Sequence, residues 1–353
     1  MASASRRCCA KAKRAANSAT FGVKKHIRLR PPYRPKLGPA IGEVHGILLL
    51  DKPSGTSSNK AMQSVMHLFG ECKTGHTGSL DPLATGMLPL CFGEATKIAG
   101  HLLGAGKAYA AECRLGITTD TDDADGNVLS ERAVPVFTTE QVEAAMAGLR
   151  GDITQIPPIY SAIKQAGQPL YKRKRQGEEV QAPPRQVNVQ RFDLLERGAD
   201  SLRLHVECGS GTYVRSLVRD LGERLGCGAH VIALRRLWVE PFREAQMVTL
   251  EQLQALADAG MLPTSLLPLE TGLQNLPVAP LDLLEAQRLR LGQRLTAAPE
   301  LLVGQLYQAR DQNDRLVSLA ECRADGCLWP LRGFNPPAPV ESSEPSSAEA
   351  VVV

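Results

Sequence analysis

The sequence predicts a mixed α/β protein with a small β-rich module at its C-terminal end. Three observations carry that reading. Apolar residues recur at period two in some stretches and at helical spacing in others. One such switch, near Tyr213, places a strand, a glycine turn and a helix in immediate succession. From about residue 276 the pattern breaks into short strand-like runs separated by turn residues.

The elements follow in chain order. Gly46-Ile47-Leu48-Leu49-Leu50 is a short buried strand that Asp51-Lys52-Pro53 ends, and Thr56, Ser57 and Ser58 offer N-caps to a helix bearing Ala61, Val65, Leu68 and Phe69. A second helix follows Thr138, where Gln141 completes a capping box and Val142, Met146 and Leu149 share one face. Leu202, Leu204, Val206 and Cys208 alternate with Arg203, His205 and Glu207, the period of a half-buried strand. After Gly209-Ser210-Gly211 the spacing turns helical, with Val214, Leu217, Val218, Leu221 and Leu225 in one stripe. Near the C-terminus, Ala309 to Arg315 and Arg323-Ala324-Asp325-Gly326 read as turns between strands.

Charge is distributed unevenly over the 353 residues. The net +4 combines 11 basic and no acidic side chains in residues 1–42 with 30 Lys+Arg against all 37 Asp+Glu in the rest, so the body alone is net −7. A polycation held to nucleic acid by bulk charge is therefore disfavoured, while a local basic face on an acidic body is not. No apolar run reaches the roughly 20 residues that span a bilayer. The nine cysteines lack zinc spacing and suit free thiols in a reducing interior.

Several fingerprints fail on spacing. Gly106-Lys107 lacks the remainder of a phosphate-binding P-loop, and Gly209-Ser210-Gly211 lacks the third glycine of a dinucleotide fold. Asp120-Thr121-Asp122-Asp123-Ala124-Asp125-Gly126 resembles a calcium loop, but the register set by Gly126 puts Thr121 first and Arg132 twelfth; a tight solvated turn is the expectation. The unusual segment is Gly75-His76-Thr77-Gly78-Ser79-Leu80-Asp81-Pro82-Leu83-Ala84-Thr85-Gly86. Its glycines permit close backbone approach to another molecule, and Pro82 restricts Asp81 to extended geometry, which fixes the direction of its carboxylate.

Together with Leu48 to Pro53, Gly93-Glu94-Ala95-Thr96-Lys97, Lys107-Ala108-Tyr109, Leu115-Gly116 with Thr119 to Gly126, Pro157-Pro158-Ile159-Tyr160-Ser161-Ala162, Gly209 to Arg215 and Leu234-Arg235-Arg236-Leu237, this segment closely resembles the TruB family of tRNA pseudouridine-55 synthases. The blocks stand in family order over residues 45–245. The resemblance implies a pseudouridine synthase catalytic domain with a mixed central sheet over residues 43–275, an RNA-clamping insertion at 165–185 and a PUA-like RNA-binding domain at 276–335. A basic disordered extension (1–42) and a disordered tail (336–353) would flank them.

It also implies roles. Asp81 is the catalytic carboxylate that detaches uracil from ribose, by addition to C1′ or by taking a proton from C2′, so that the base can rejoin through C5. Arg215 pairs with it, and a bidentate Arg would hold the Asp ionised against burial. Tyr213 lies near the base, Tyr109 stacks on it, Leu234 walls the pocket and His76 fills the gap left by the flipped nucleotide. Lys172-Arg173-Lys174-Arg175 would meet phosphates. No cofactor and no metal is implied. The partner is tRNA, gripped at its T-stem-loop and possibly its acceptor end, with a monomer in the cytoplasm and no membrane contact; the acid-free arm is equally compatible with organellar import. Rivals are a guide-dependent synthase, an RNA chaperone and an RNA-binding module with a dead site.

Overall fold

The computed structural model describes residues 44–335 apart from Ala162, Ala166 and Glu244; the expectations for 1–42 and 336–353 lie outside the described residues. The N-terminal half runs β1 (Gly46–Lys52), α1 (Ser58–Leu68), β2 (Thr74–His76), β3 (Thr85–Phe92), α2 (Ala99–Leu103), β4 (Lys107–Leu115), β5 (Ile117–Thr119), β6 (Val128–Glu131), α3 (Thr139–Ala147) and β7 (Gly151–Gln155). It continues through β8 (Lys164–Gln165), β9 (Gln168–Pro169), α4 (Leu170–Arg175), β10 (Arg185–Arg197), β11 (Ser201–Cys208), α5 (Val214–Arg224), β12 (Ala229–Val239) and α6 (Leu250–Asp258). The C-terminal stretch holds β13 (Val278–Pro280), α7 (Leu283–Arg290), β14 (Leu295–Thr296), β15 (Leu306–Arg310), β16 (Leu316–Cys322) and β17 (Cys327–Gly333). The fold is thus mixed α/β with a β-rich C-terminal region.

The large sheet has the order β1-β3-β12-β4-β11-β10-β7, with β2 also paired to β3. Every pairing in it is antiparallel except β12 with β3, where Arg235 faces Thr85 and Arg236 faces Gly86. Helix α5 leaves β11 through the Gly209–Gly211 turn and packs its Val214, Leu217, Val218 and Leu221 stripe into the main core. The two capping features behave as the residue types dictate. Ser57 caps α1, and Thr138 and Gln141 close a reciprocal box on α3.

The structure departs from the sequence reading in two places and adds to it in two more. β1 runs on through Asp51 and Lys52, because both still pair with β3 and only Pro53 lacks the ladder donor. The 120–126 acid loop is the expected turn, joining β5 to β6, but it is not solvated throughout: Asp123 is buried, and Asp122 and Asp123 pair with arginines of α5. The basic run 172–175 is a short helix, α4, whose Leu170 packs with Val180, Ala182, Ile159 and Ile163 in a small cluster of its own. The C-terminal strands share a core with the body, since Leu316, Leu319 and Phe334 join Ile47, Leu49 and Met87 in one apolar cluster. They also surround a second cluster of their own and contain a helix, α7, that the sequence pattern did not reveal. The seven described cysteines are free, and no described helix is long and apolar enough to cross a membrane.

Candidate active site

The loop carrying Asp81 is built before any substrate arrives. Ser58, on the first turn of α1, donates its hydroxyl to Leu80 O (2.9 Å) and accepts from Leu80 N–H (2.7 Å), pinning the peptide just ahead of Asp81. Pro82 O accepts from Gly55 N–H (2.8 Å) on the other side. Below them Lys52, fully buried, donates Nζ to Pro53 O (2.8 Å), Thr56 O (2.7 Å) and Pro82 O (3.4 Å). Burial pushes its ammonium down to about 8, against the pull of the Asp81 charge. One buried cation thus ties the end of β1 to the loop through carbonyls alone.

Arg215 rises from the second residue of α5 and is 4% exposed. Its Nε lies 3.0 Å from Asp81 Oδ2 and its Nη1 3.1 Å from Asp123 Oδ2. The Nε contact is an ion pair with the N–H pointing off line. Nη1 and Nη2 also donate to Thr121 O (2.7 Å) and Tyr160 O (3.1 Å). The guanidinium is therefore shared between two carboxylates, not bidentate on Asp81. Nor does it win against burial: desolvation raises the Asp81 carboxyl above its ordinary range, and the Asp123 charge adds to this while Arg215 and Lys52 oppose it. The Asp81 side chain still keeps 38% of its surface open, so the carboxylate is accessible although its partner Arg215 is buried.

The base of α5 is fixed to the edge strand. Gln155, at the end of β7, accepts from Tyr213 N–H (2.8 Å) and donates to Tyr213 O (3.1 Å), and Ser216 Oγ donates to Ile156 O (2.8 Å). This holds the half-buried Tyr213 where the Asp81 charge acts on its phenol, with the Arg185 guanidinium 5.9 Å from its ring centre; burial raises the phenol. Asp122 and Arg219 form a second pair at 2.9 Å one helical turn further on.

Tyr109 on β4 and Leu234 on β12 are both 8% exposed and belong to the main core cluster. Tyr109 stands opposite Arg236 across the β12–β4 ladder. The charges of Asp81 and Arg236 both act on its phenol, which burial raises. His76 ends β2, half-buried, with Nδ1 lacking a hydrogen-bond partner among the described residues; burial and the Arg236 charge lower its pKa. The six residues expected at a site thus come from strands β2, β4 and β12, the Asp81 loop and the start of α5.

Sequence reasoning missed Asp123, Lys52, Ser58, Gln155 and Arg236 as parts of this arrangement. Asp123 was masked by turn-like composition, Ser58 by its suitability as a cap, and Lys52 and Arg236 by the ordinary expectation that cations lie at the surface. A signal existed for Lys52, which directly follows a fully apolar run and a single Asp. Among the described residues no group of three or more His, Cys, Asp or Glu side chains is arranged to hold a metal ion.

Residues 66–214 match the TruB family pseudouridylate synthase (N terminal domain), and residues 215–274 match the tRNA pseudouridylate synthase B C-terminal domain. The fold and the loop accordingly define a pseudouridine synthase. The chain is 58% identical over 294 residues to the tRNA pseudouridine synthase B of Xanthomonas axonopodis pv. citri, covering 83% of this chain and 94% of that protein. It is 61% identical, with the same coverage, to the protein of that name from Xanthomonas euvesicatoria pv. vesicatoria, and 49% identical to that of Stutzerimonas stutzeri, over 82% of this chain and 95% of the relative. Within its class the chain belongs to the TruB family.

Among solved structures, a Cbf5-Nop10-Gar1 complex matches with TM-score 0.64 at 25% identity, over 82% of this chain and 84% of that one. An H/ACA RNP bound to a substrate RNA containing 2′-deoxyuridine matches in fold with TM-score 0.64 at 23% identity, over 83% and 86%.

Proposed function

We propose that this protein isomerises uridine 55 in the T-loop of tRNAs to pseudouridine, with Asp81 as its catalytic carboxylate. The observation that carries the reading is the placement of Asp81: a carboxylate paired with Arg215, on a loop anchored by Ser58 and Lys52, that keeps 38% of its side-chain surface open and whose charge acts on the phenols of Tyr109 and Tyr213. The C1′–N1 bond breaks, uracil turns, and C5 bonds to C1′; the C5 proton leaves and N1 gains one, so composition is unchanged. Asp81 acts on the ribose, as nucleophile at C1′ or base at C2′. Tyr109 offers a ring to the flipped base, for which an aromatic face restores roughly 1–3 kcal/mol of stacking. Tyr213 assists loss of the C5 proton, Leu234 closes the pocket and His76 occupies the space the nucleotide vacates.

Arg215 orients the carboxylate, and Asp123 orients Arg215. The helix α4 and its flanking hairpin, within the 165–185 insertion, clamp the stem-loop through phosphates, and the C-terminal strands serve as a PUA-like RNA contact. The protein works as a cytoplasmic monomer without cofactor. The test is a T-stem-loop transcript incubated with the protein and no additive, with pseudouridine mapped by position. Product at the T-loop uridine with wild type, none with Asp81→Asn and unchanged RNA binding by that variant are the expected results. Turnover by Asp81→Asn would remove Asp81 from its role, and product at another uridine would overturn the substrate assignment.

A further inference from the structure

Arg236 is 1% exposed and makes no ion pair among the described residues, although a buried guanidinium without a carboxylate is costly. Its hydrogen bonds reveal what retains it. Nε donates to Met87 O on β3 (2.6 Å), and Nη2 donates to Gly78 O in the Asp81 loop (3.2 Å). Its backbone is gripped as well. Gly86, at φ +96°, abuts it so closely that a Cβ there would fall 2.2 Å from Arg236 O.

On its other side, β12 places Arg236 directly across from Tyr109 in the antiparallel ladder, the closest side-chain neighbour relation a sheet offers. The Arg236 charge acts on the Tyr109 phenol and offsets part of the rise that burial causes. Arg236 therefore bonds the loop three residues before Asp81 and the neighbouring strand β3, and it faces across the ladder the aromatic residue assigned to the base. Lysine could supply the charge but not a planar fork that reaches both carbonyls while facing Tyr109.

We propose that Arg236 is a positioning residue that fixes the Tyr109 ring relative to the Asp81 loop, so that base and ribose are presented together. This rests on the reading of Tyr109 and Asp81 given above. The reasoning predicts a defect in rate with binding and folding intact. Arg236→Lys should lower the single-turnover rate of pseudouridine formation on a T-stem-loop by about 10- to 100-fold, the scale of loss for a misplacement near 1 Å. Its Kd for the RNA should change less than about twofold, while its Tm falls with the loss of the fork that bonds Met87 O and Gly78 O, so rates are compared at a temperature where both proteins are folded.

Tyr109→Phe keeps the ring and removes the hydroxyl, so it should lose part of the same factor. The double variant should be no slower than Arg236→Lys alone, the mark of two residues acting as one unit. A wild-type rate for Arg236→Lys, or multiplicative losses in the double variant, would overturn the proposal. Should Arg236→Lys not fold, Tyr109→Phe decides: a reduced rate at unchanged Kd and Tm supports the link and an unchanged rate refutes it. Wild-type protein run alongside separates the two levels, since absence of its product would overturn the function itself and this proposal with it.

Discussion

Replacing Asp123 by Asn probes the shared guanidinium most directly. Asp123 and Arg215 are 4% exposed each and stand 3.1 Å apart, so at an effective dielectric of about 20 their direct attraction is about 5 kcal/mol. Removing one member of a buried pair costs about 3–5 kcal/mol because the other charge is stranded. The amide still accepts from Thr121 Oγ1 and Asp125 N–H, and Arg215 keeps Asp81, so the lower end, about 3 kcal/mol, is expected. That corresponds to a Tm lower by about 6–12 °C for a chain of this order of size, or a smaller denaturant midpoint at unchanged slope.

The pH profile supplies an independent sign. In the proposed role Asp81 acts ionised, and its pKa is raised, so kcat/KM should fall as pH drops through a midpoint above the ordinary carboxylate range. Asp123→Asn deletes a repulsive charge and should move that acid limb to lower pH, while Arg215→Met deletes an attractive one and should move it higher. Displacement of both limbs in the same direction, or wild-type stability in Asp123→Asn, would refute the argument.

Asp81→Asn should raise Tm at pH 7. A raised pKa means folding favours the protonated carboxyl, so that contribution to stability is complete below the unfolded value near 4 and lost as pH climbs through the folded one; the gap from wild type should close in acid. Gly86→Ala should cost about 3 kcal/mol or more, read from the unfolding midpoint, since its Cβ would strike Arg236 main chain at 2.2 Å and its φ is +96°. An unchanged midpoint would show that β3 and β12 can part freely. Neutralising Lys172, Arg173, Lys174 and Arg175 should weaken RNA binding and reduce the slope of log K against log salt by roughly 0.7–0.9 for each phosphate no longer neutralised; unaltered affinity at low salt would exclude a clamping role for α4.

Local chemistry was legible wherever one segment decides the outcome. The Thr138–Gln141 box, the period-two run into Cys208 and the apolar stripe of α5 all appear where their residue types place them. The six candidate site residues were legible only through resemblance, because nothing in the spacing of Tyr109 and Arg215 says that β4 and α5 converge on one loop. What stayed hidden depends on partners distant in sequence. Asp123 reads as a turn residue until Arg215, on another element, gives its carboxylate a reason to be buried. Lys52 and Arg236 read as surface cations until the carbonyls of Thr56, Met87 and Gly78 are seen to surround them. The helix α7 lacks a strong apolar periodicity, since two of its leucines, Leu283 and Leu284, are largely exposed.

The apolar cluster beneath β1 and β3 bears on how such a chain can evolve. Leu316, Leu319 and Phe334 complete the packing around Met87, and the carbonyl of Met87 is one of those that seat Arg236. Lys97 reaches Gly333 O at 2.8 Å, and the Asn335 amide reaches Glu94 at 2.8 Å, closing the same seam. A C-terminal region fastened in this way is not a detachable accessory that recombination could exchange for an unrelated one. Any replacement would have to reproduce three apolar contacts behind the strands that seat Arg236, so the C-terminal region and the packing of the large sheet are inherited as one trait.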